Sequence, residues 1–227
     1  MAFKAALHKG AQQLRWKDHS FLLLPEKALY WPKEEALLVA DLHLGKSGHF
    51  QSHGIPVPGD VLFKDLTNLG SLVSHLQPKQ LFILGDLFHS QYNDEWATCE
   101  SFFQDLISLP SEPLKITLIL GNHDILHRRH YLNAGFRIEK ELTLGGIQLI
   151  HDPEKDVETS TCIHGHIHPG VRLIGKGRQK LSLPCFWVGK ERLVLPAFGQ
   201  FTGLYMVQPE EEDHMYAIAD RQVIQVL

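Results

Sequence analysis

Three short, continuous apolar runs stand in the first half of the chain, at residues 37–40, 81–84 and 116–120. Runs of this length are typical of buried β-strands. Between Asp60 and Pro78 the apolar residues instead recur three and four positions apart, which predicts an amphipathic helix that ends before the proline. Asn93 or Asp94 can cap a second helix. The order strand, helix, strand, helix, strand predicts a parallel α/β half.

Two further segments precede the first helix. Residues 21–31 carry two apolar runs around Pro25-Glu26-Lys27, which predicts a β-hairpin, and residues 45–59 predict a loop with at most one helical turn.

The second half of the chain has a different pattern. After Tyr131 helical periodicity gives way to short strand-like runs, so this half is predicted to be mostly β. The runs are residues 136–138, 147–150, 162–163, 186–188, 193–195, 204–207 and 215–219.

No linker rich in Ser, Gly or Pro separates the two halves, so residues 1–227 are predicted to form a single domain. The fold class that we expect is α/β with an α+β-like second half, in which two packed, mixed β-sheets are flanked by helices. A hydrophobic content of 44% and a charged content of 21% agree with an ordinary globular protein.

The overall charge argues mildly against a protein that coats DNA. The formal net charge is −4 and the pI is about 6.4, whereas many nucleic-acid binders are basic throughout. A nuclease is still compatible with this charge, because two bound divalent cations would add four positive charges where a phosphate docks.

The cysteines and the N-terminus predict a cytoplasmic protein. Cys99, Cys162 and Cys185 are far apart and form no Cys-x-x-Cys pair, so we expect reduced thiols. The N-terminal residues have no apolar core and therefore no features of a secretory signal. The sequence contains no apolar run of 18 residues, so we expect no membrane span and no membrane partner.

Histidine is the residue type with an unusual count, 15 in 227 residues. Many of these histidines stand in polar clusters directly after the apolar runs. In open α/β sheets functional groups gather beyond the carboxyl ends of the strands, so the clusters can face one crevice. They are Asp41 with His43, Gly85-Asp86 with His89, Gly121-Asn122-His123-Asp124, His151, and His164-Gly165-His166-Ile167-His168.

The clusters provide nitrogen and oxygen donors without a thiolate, enough for two metal ions that share a carboxylate. Each histidine taken alone is more often structural, but the set together predicts metal binding. In an extended strand residues i and i+2 point to the same side, so Asp41 and His43 can converge. Gly85, Gly121 and Gly165 permit sharp turns directly before a ligand. The candidate ligands are Asp41, His43, Asp86, Asn122, His151, His166 and His168.

Taken in order, the motifs Asp-x-His, Gly-Asp-x-x-His, Gly-Asn-His-Asp, a later His and Gly-His-x-His resemble those of the calcineurin-like metallophosphoesterases. The variant with His89 is similar to the double-strand-break-repair nucleases of that superfamily. Three segments resemble most closely the bacterial DNA-ligase-associated metallophosphoesterases: Ala40-Asp41-Leu42-His43-Leu44-Gly45-Lys46, Gly85-Asp86-Leu87-Phe88-His89-Ser90 and Pro196-Ala197-Phe198-Gly199-Gln200-Phe201-Thr202-Gly203.

The resemblance implies a metallophosphoesterase fold and a phosphodiesterase or nuclease with two divalent ions, most often Mn²⁺, although Fe and Zn also suit the donors. One ion would be held by Asp41, His43, Asp86 and His168, and the other by Asp86, Asn122, His151 and His166. A hydroxide between the two ions would attack phosphorus. By the same resemblance the substrate would be DNA, in a repair context alongside a DNA ligase and a helicase.

Three further residues receive catalytic roles from the resemblance. His123 would contact the phosphate and protonate the leaving alkoxide, and Asp124 could orient His123. Many phosphatases of the superfamily have an aspartate where this chain has His89, which suggests that His89 also touches substrate.

Several other polar residues keep two interpretations. Gly45-Lys46-Ser47 imitates the end of a P-loop, but Ala40 stands where the first glycine belongs and Asp41 would project into the phosphate cradle. Lys46 is either a phosphate contact or a solvated lysine, and His164 is predicted to be structural. Arg128-Arg129 and the group Lys176, Arg178 and Lys180 either steer a polyanion or are solvated; Phe198 and Phe201 either stack on a base or pack in the core.

Two alternative functions remain open from the sequence. A small-molecule phosphatase or nucleotide pyrophosphatase could use the same metal ligands. A catalytically silent scaffold belongs to a different class, but such a protein should have lost ligands, and this chain retains all seven.

Overall fold

Two β-sheets stack face to face, and helices pack against the first sheet. The structure is a computed structural model, and it describes residues 8–46, 61–89, 92–153, 160–175, 177 and 179–227. The helices described are α1 (Val61–Leu76), α2 (Asp94–Ser108) and α3 (Arg128–Asn133). Asn93 caps α2, since its side chain accepts a hydrogen bond from the backbone N–H of Glu95.

The first sheet has its seven strands in sequence order. They are β1 (Gln12–Trp16), β2 (His19–Leu24), β3 (Ala28–Trp31), β4 (Ala36–Val39), β5 (Gln80–Leu84), β6 (Lys115–Ile119) and β7 (Phe136–Glu139). Strands β1 to β4 pair antiparallel, and β4 to β7 pair parallel. The carboxyl ends of β4, β5 and β6 therefore lie at the same edge.

The second sheet has the order β14-β11-β12-β13-β10-β9-β8, and β15 and β16 extend it from β12. Its strands are β8 (Leu142–Leu144), β9 (Ile147–Leu149), β10 (Cys162–His164), β11 (Pro169–Ile174), β12 (Lys180–Val188), β13 (Arg192–Val194), β14 (Tyr205–Met206), β15 (His214–Ala219) and β16 (Gln222–Gln225). β10 is parallel to both of its neighbours, β9 and β13, while most of the other pairings are antiparallel.

Alternating side chains divide the core into two layers. Leu37 and Val39 of β4 point to the helices, whereas Ala36 and Leu38 point to the second sheet. Because both faces of the parallel strands are covered, their sequences are continuously apolar. The described helices all pack on the outer face of the first sheet.

These elements confirm the predicted fold class and most predicted elements, including the hairpin in residues 21–31, the helices α1 and α2, and the three buried strands. Residues 47–60 lie outside the described part, and so do most of the predicted loop and the expected helix start at Asp60. Strands β1, β8, β11 and β16 were not expected. β1 opens with two glutamines and β11 with Pro-Gly, which weakens the apolar pattern from which a strand is predicted.

The three cysteines are free and buried. Burial raises the pKa of Cys99 and of Cys185 to about 12, so both thiols stay protonated. No helix in the described ranges is long and apolar enough to cross a membrane. Phe198 is buried in the core as expected of a packing residue, but Phe201 is 42% exposed.

Candidate metal centre

The loops that follow β4 and β5 are hydrogen-bonded to each other beyond the strand ends. The backbone N–H of Asp41 donates to the carbonyl of Gly85 at 3.1 Å, and that of His43 donates to the carbonyl of Asp86 at 2.8 Å. On the other side, the N–H of Gly199 donates to the carbonyl of Asp41 at 3.2 Å. The Asp41 loop is therefore held from both sides, which fixes where its side chains point.

The backbone at these loops is left-handed. The φ angles are 53° at Asp41, 48° at His43, 52° at Asp86, 68° at His166 and 52° at His168. The expectation that Asp41 and His43 converge because they lie on an extended strand is thus wrong in its reason, since β4 ends at Val39. Left-handed non-glycine residues are strained, and such strain concentrates at functional sites.

One group of candidate ligands consists of Asp41, His43 and His168, whose donor atoms all lie within 4.8 Å of one another. Nε2 of His43 is 3.2 Å from Nε2 of His168, which is 3.4 Å from Oδ1 of Asp41. Two donors bound to one ion at about 2.1 Å would lie about 3.0–3.4 Å apart, so the spacing fits a shared cation. Burial, with the neighbouring imidazoles, lowers the pKa of His43 to about 2 and keeps the ring neutral, as a metal ligand requires.

A second group consists of Asp86, His151 and His166, again with donors within 4.8 Å of one another. Nδ1 of His151 donates to the carbonyl of Leu84 at 2.9 Å, which turns Nε2 toward the group. That Nε2 lies 3.0 Å from Oδ1 of Asn122 and 3.2 Å from Nδ1 of His166. Asn122 therefore joins this group, and all seven predicted ligands are brought together.

Asp86 lies between the two groups. Its Oδ2 is 3.7 Å from Nε2 of His43 in the first group, and its Oδ1 is 3.5 Å from Nε2 of His151 in the second. Oδ1 also accepts a hydrogen bond from the backbone N–H of His123 at 2.9 Å. One carboxylate oxygen thus faces each group, which is the arrangement that a bridging ligand needs.

Two of the glycines are required for space rather than for a turn. A Cβ on Gly165 would stand 2.6 Å from Oδ2 of Asp41, and one on Gly121 would overlap the Asp86 carboxylate. Gly85 alone of the three has a positive φ, +79°, and a Cβ there would overlap the His151 ring. The backbone approaches the donor set closely in each case.

His89 and His123 lie against the first group. Nδ1 of His43 is 3.0 Å from Nδ1 of His89. With Nε2 facing the donor set, the proton of the neutral His43 ring lies on Nδ1 and is donated to His89. The rings of His89 and His123 are 4.6 Å apart at an angle of 32°. Both histidines therefore line the crevice, and His89 also orients His43.

Asp124 does not have the geometry that was expected of it. Its carboxylate accepts hydrogen bonds from the backbone N–H groups of Asp86 at 2.9 Å, Leu87 at 2.9 Å and Gly121 at 2.8 Å. Within the described chain, no hydrogen bond joins it to the His123 ring. Burial raises the pKa of Asp124 to about 6, against these donors. It holds two loops in place instead of orienting His123.

The remaining predicted residues are less closely engaged. Lys46 shares a small cleft with His43 and Phe201, and burial lowers its pKa. Arg128 is exposed at the start of α3, and among the described contacts it has no hydrogen bond or ion pair with the ligand set. His164 is buried beside the site, where burial lowers its pKa to about 4, consistent with the structural role predicted for it. Lys176 and Arg178 lie outside the described residues.

Sequence reasoning missed one supporting pair, Asp65 and Lys27. Buried Asp65 accepts a hydrogen bond from the N–H of Gln200 at 3.2 Å, and Lys27 donates to the carbonyl of Gly199 at 3.3 Å. Burial raises the pKa of Asp65 to about 6. The signal was a carboxylate on the apolar face of α1, beside Leu66. The pair holds the segment that hydrogen-bonds to Asp41.

This fold and this donor set define a class of metal-dependent hydrolases of phosphate esters. The calcineurin-like phosphoesterase family profile matches residues 36–193, and the chain belongs to this family. In sequence, no curated protein matches significantly.

Two solved structures are similar to this chain. Nuclease MPE of Pseudomonas putida is 30% identical, over 95% of this chain and 100% of its own, with a TM-score of 0.77. Yfce, a phosphoesterase from E. coli, is 15% identical over 84% of this chain and 97% of its own, with a TM-score of 0.45.

Proposed function

We propose that this protein is a metal-dependent nuclease that hydrolyses phosphodiester bonds in DNA. The observation that carries the proposal is the position of Asp86, with one carboxylate oxygen 3.7 Å from His43 and the other 3.5 Å from His151. Two donor groups joined in this way suit two ions about 3.5–4 Å apart, the spacing that phosphodiester hydrolysis uses. The 30% identity to a nuclease over 95% of the chain supports a nucleic acid as the substrate. DNA in particular is inferred from the resemblance to the DNA-ligase-associated enzymes.

The donor set supports a definite division of ligands. Asp41, His43, His168 and one oxygen of Asp86 would hold the first ion. The other oxygen of Asp86, with Asn122, His151 and His166, would hold the second. When bound, the ions would supply Lewis acids for the phosphate oxygens and activate a water. We propose Mn²⁺, since carboxylate, amide and imidazole donors suit it, although they also suit Fe and Zn.

The remaining chemistry falls to two histidines. The backbone N–H of His123 donates to Oδ1 of Asp86 at 2.9 Å, and the centres of the His123 and His89 rings are 4.6 Å apart. We assign His123 the transfer of a proton to the leaving oxygen. His89, whose Nδ1 lies 3.0 Å from Nδ1 of His43, is assigned a contact with a phosphate oxygen beside His123. Asp124 contributes through the loops it holds, and Lys46 is a further candidate phosphate contact.

The context follows from the resemblance of residues 40–46, 85–90 and 196–203 to the DNA-ligase-associated enzymes. We propose a role in DNA repair in the cytoplasm, alongside a DNA ligase and a helicase. The packing of the third segment against the first, where Gly199 donates to Asp41 at 3.2 Å, supports treating these segments as one functional unit.

A substrate panel tests the proposed function. It contains p-nitrophenyl phosphate, bis(p-nitrophenyl) phosphate, a dinucleoside pyrophosphate, and single- and double-stranded DNA oligomers, each with Mn²⁺ or with EDTA. We expect cleavage of DNA and of the blocked diester, at least about 10-fold faster than the monoester, and no cleavage in EDTA. A preference for the monoester or the pyrophosphate would establish a small-molecule phosphatase or pyrophosphatase instead, and no turnover of any ester would indicate a silent scaffold.

The role of His123 has its own test. His123→Ala should retain both ions but slow DNA cleavage by about 10²–10⁴-fold. A p-nitrophenyl leaving group needs no proton, so the loss on bis(p-nitrophenyl) phosphate should be much smaller. An unchanged rate on DNA would rule out His123 as the general acid.

A further inference from the structure

The hairpin formed by β11 and β12 extends past the edge of the sheet at which the metal groups lie. His164, the last residue of β10, pairs with Val194 of β13, and Val194 pairs with Trp187 of β12. From Trp187 the strand β12 extends back to Lys180, so it projects about 23 Å past the end of β10, at 3.3 Å per residue. β11 begins at Pro169, directly after the candidate ligand His168, and runs alongside.

One face of this hairpin continues the face of the second sheet that packs against the first sheet. Phe186 and Val188 of β12 lie in the core between the sheets. Because side chains alternate along a strand, Lys180 and Ser182 are on the same face as Phe186. Cross-strand partners also share a face, and Arg172 pairs with Ser182 while Ile174 pairs with Lys180. Where this face of the hairpin extends past the first sheet, it therefore carries two cationic side chains, Arg172 and Lys180.

The charge of the hairpin is unlike that of the whole chain. Residues 169–188 contain four Lys or Arg and no Asp or Glu, although the formal charge of the chain is −4. Arg172 and Lys180 are exposed, and neither side chain forms an ion pair or hydrogen bond with a described residue. Elsewhere, in contrast, Arg137 is 2.7 Å from Glu139 and Lys17 is 2.6 Å from Glu191. The two hairpin cations are free to bind an external anion.

We propose that this face of the β11–β12 hairpin, through Arg172 and Lys180, binds the phosphate backbone of the DNA strand as it leaves the metal centre. The proposal rests on the proposed nuclease function and names where its substrate lies outside the catalytic groups. The Cα of Arg172 is at most about 14 Å from that of His168, four residues away. The contact therefore falls within about four nucleotides of the cleaved bond, at 3.4 Å per nucleotide. A small diester does not reach it.

The test is the double variant Arg172→Ala/Lys180→Ala, loaded with Mn²⁺. The matched control is Lys33→Ala/Lys115→Ala, which removes the same charge from exposed residues at the amino ends of β4 and β6, opposite the metal groups. For a 20-nucleotide single strand, we expect KM to rise at least about 10-fold at low salt, with kcat unchanged. Losing two phosphate contacts should also make the dependence of log(1/KM) on log[salt] shallower by about 1.4.

A small substrate separates the possible failures. Turnover of bis(p-nitrophenyl) phosphate should stay within twofold in both double variants, because the metal centre is untouched. The charge-keeping variant Arg172→Lys/Lys180→Arg should retain the salt dependence of the wild type. If the hairpin variant binds DNA like the control, the inference is wrong. If the wild type hydrolyses small esters but does not cleave DNA, the proposed function fails instead.

Discussion

The two candidate metal groups differ most in their exposure to solvent. In the first group the side chains of Asp41, His43 and His168 are 0%, 4% and 19% exposed. In the second group His166 is 40% exposed, and Asn122 is exposed as well. The first group can therefore hold an ion almost entirely with protein donors. The second keeps an open side, which a catalytic metal needs for water and substrate.

The hydrogen bonds around each group account for this difference. The Asp41 loop is held between Gly85 and Gly199 by backbone hydrogen bonds, and both Asp41 and His43 are buried. In the His166 ring, in contrast, Nδ1 lies 3.2 Å from Nε2 of His151, and Nε2 lies 3.6 Å from Oδ2 of Asp152. The side chain of Asp152 is itself 52% exposed. A rigid inner group and a looser outer group are the expected result.

The largest effect should come from Asp86, because it belongs to both groups. Asp86→Asn keeps the shape of the side chain but removes the charge that two cations share, so we expect both metal occupancies to fall. A loss of several kcal/mol of transition-state stabilisation corresponds to a decrease of more than about 10³-fold in kcat on a diester. Metal content by mass spectrometry checks the cause, and full loading of both positions would refute the shared role.

The next prediction compares one ligand from each group. His43→Ala should abolish most activity at every Mn²⁺ concentration, because no water can readily replace a ligand that is 4% exposed. His166→Ala should recover substantial activity in millimolar Mn²⁺, because solvent already reaches that position. Titrations of activity with Mn²⁺ measure both. Identical metal dependence of the two variants would remove the distinction between a closed and an open group.

A smaller effect is expected from the close approach of Gly165 to the inner group. In Gly165→Ala the new methyl group would stand 2.6 Å from Oδ2 of Asp41 and must displace that carboxylate. We expect the affinity for the inner ion to fall by about 10–100-fold, as for other changes next to metal ligands. The control is Gly203→Ala, since a Cβ there meets no atom within 4 Å. Equal affinities in the two variants would show that the inner group is not rigid.

The candidate ligands could be predicted from sequence because each follows a short apolar run, and parallel strands bring such ends together. Their backbone conformation could not, since the positive φ of Asp41 and His43 depends on hydrogen bonds to Gly85 and Asp86, which are far along the chain. The error at Asp124 has the same origin. The resemblance suggested that it orients His123, whereas its partners are backbone N–H groups that leave no mark in the sequence.

The second sheet shows the other limit of the pattern. Its strands are short, and β11 opens with Pro-Gly, so local sequence favoured a turn where pairing with β12 makes a strand. This limit affects the site directly. From the sequence, the projecting hairpin could be recognised only as a group of basic residues, because its position beside the metal groups depends on the register of β10, β13 and β12.

The sharing of Asp86 between a closed and an open position is the central claim, and anomalous diffraction from crystals soaked in Mn²⁺ tests it most directly. We expect two peaks about 3.5–4 Å apart, one on each side of the Asp86 carboxylate, with the inner peak fully occupied at the lower Mn²⁺ concentration. A single peak, or two peaks without Asp86 between them, would contradict it.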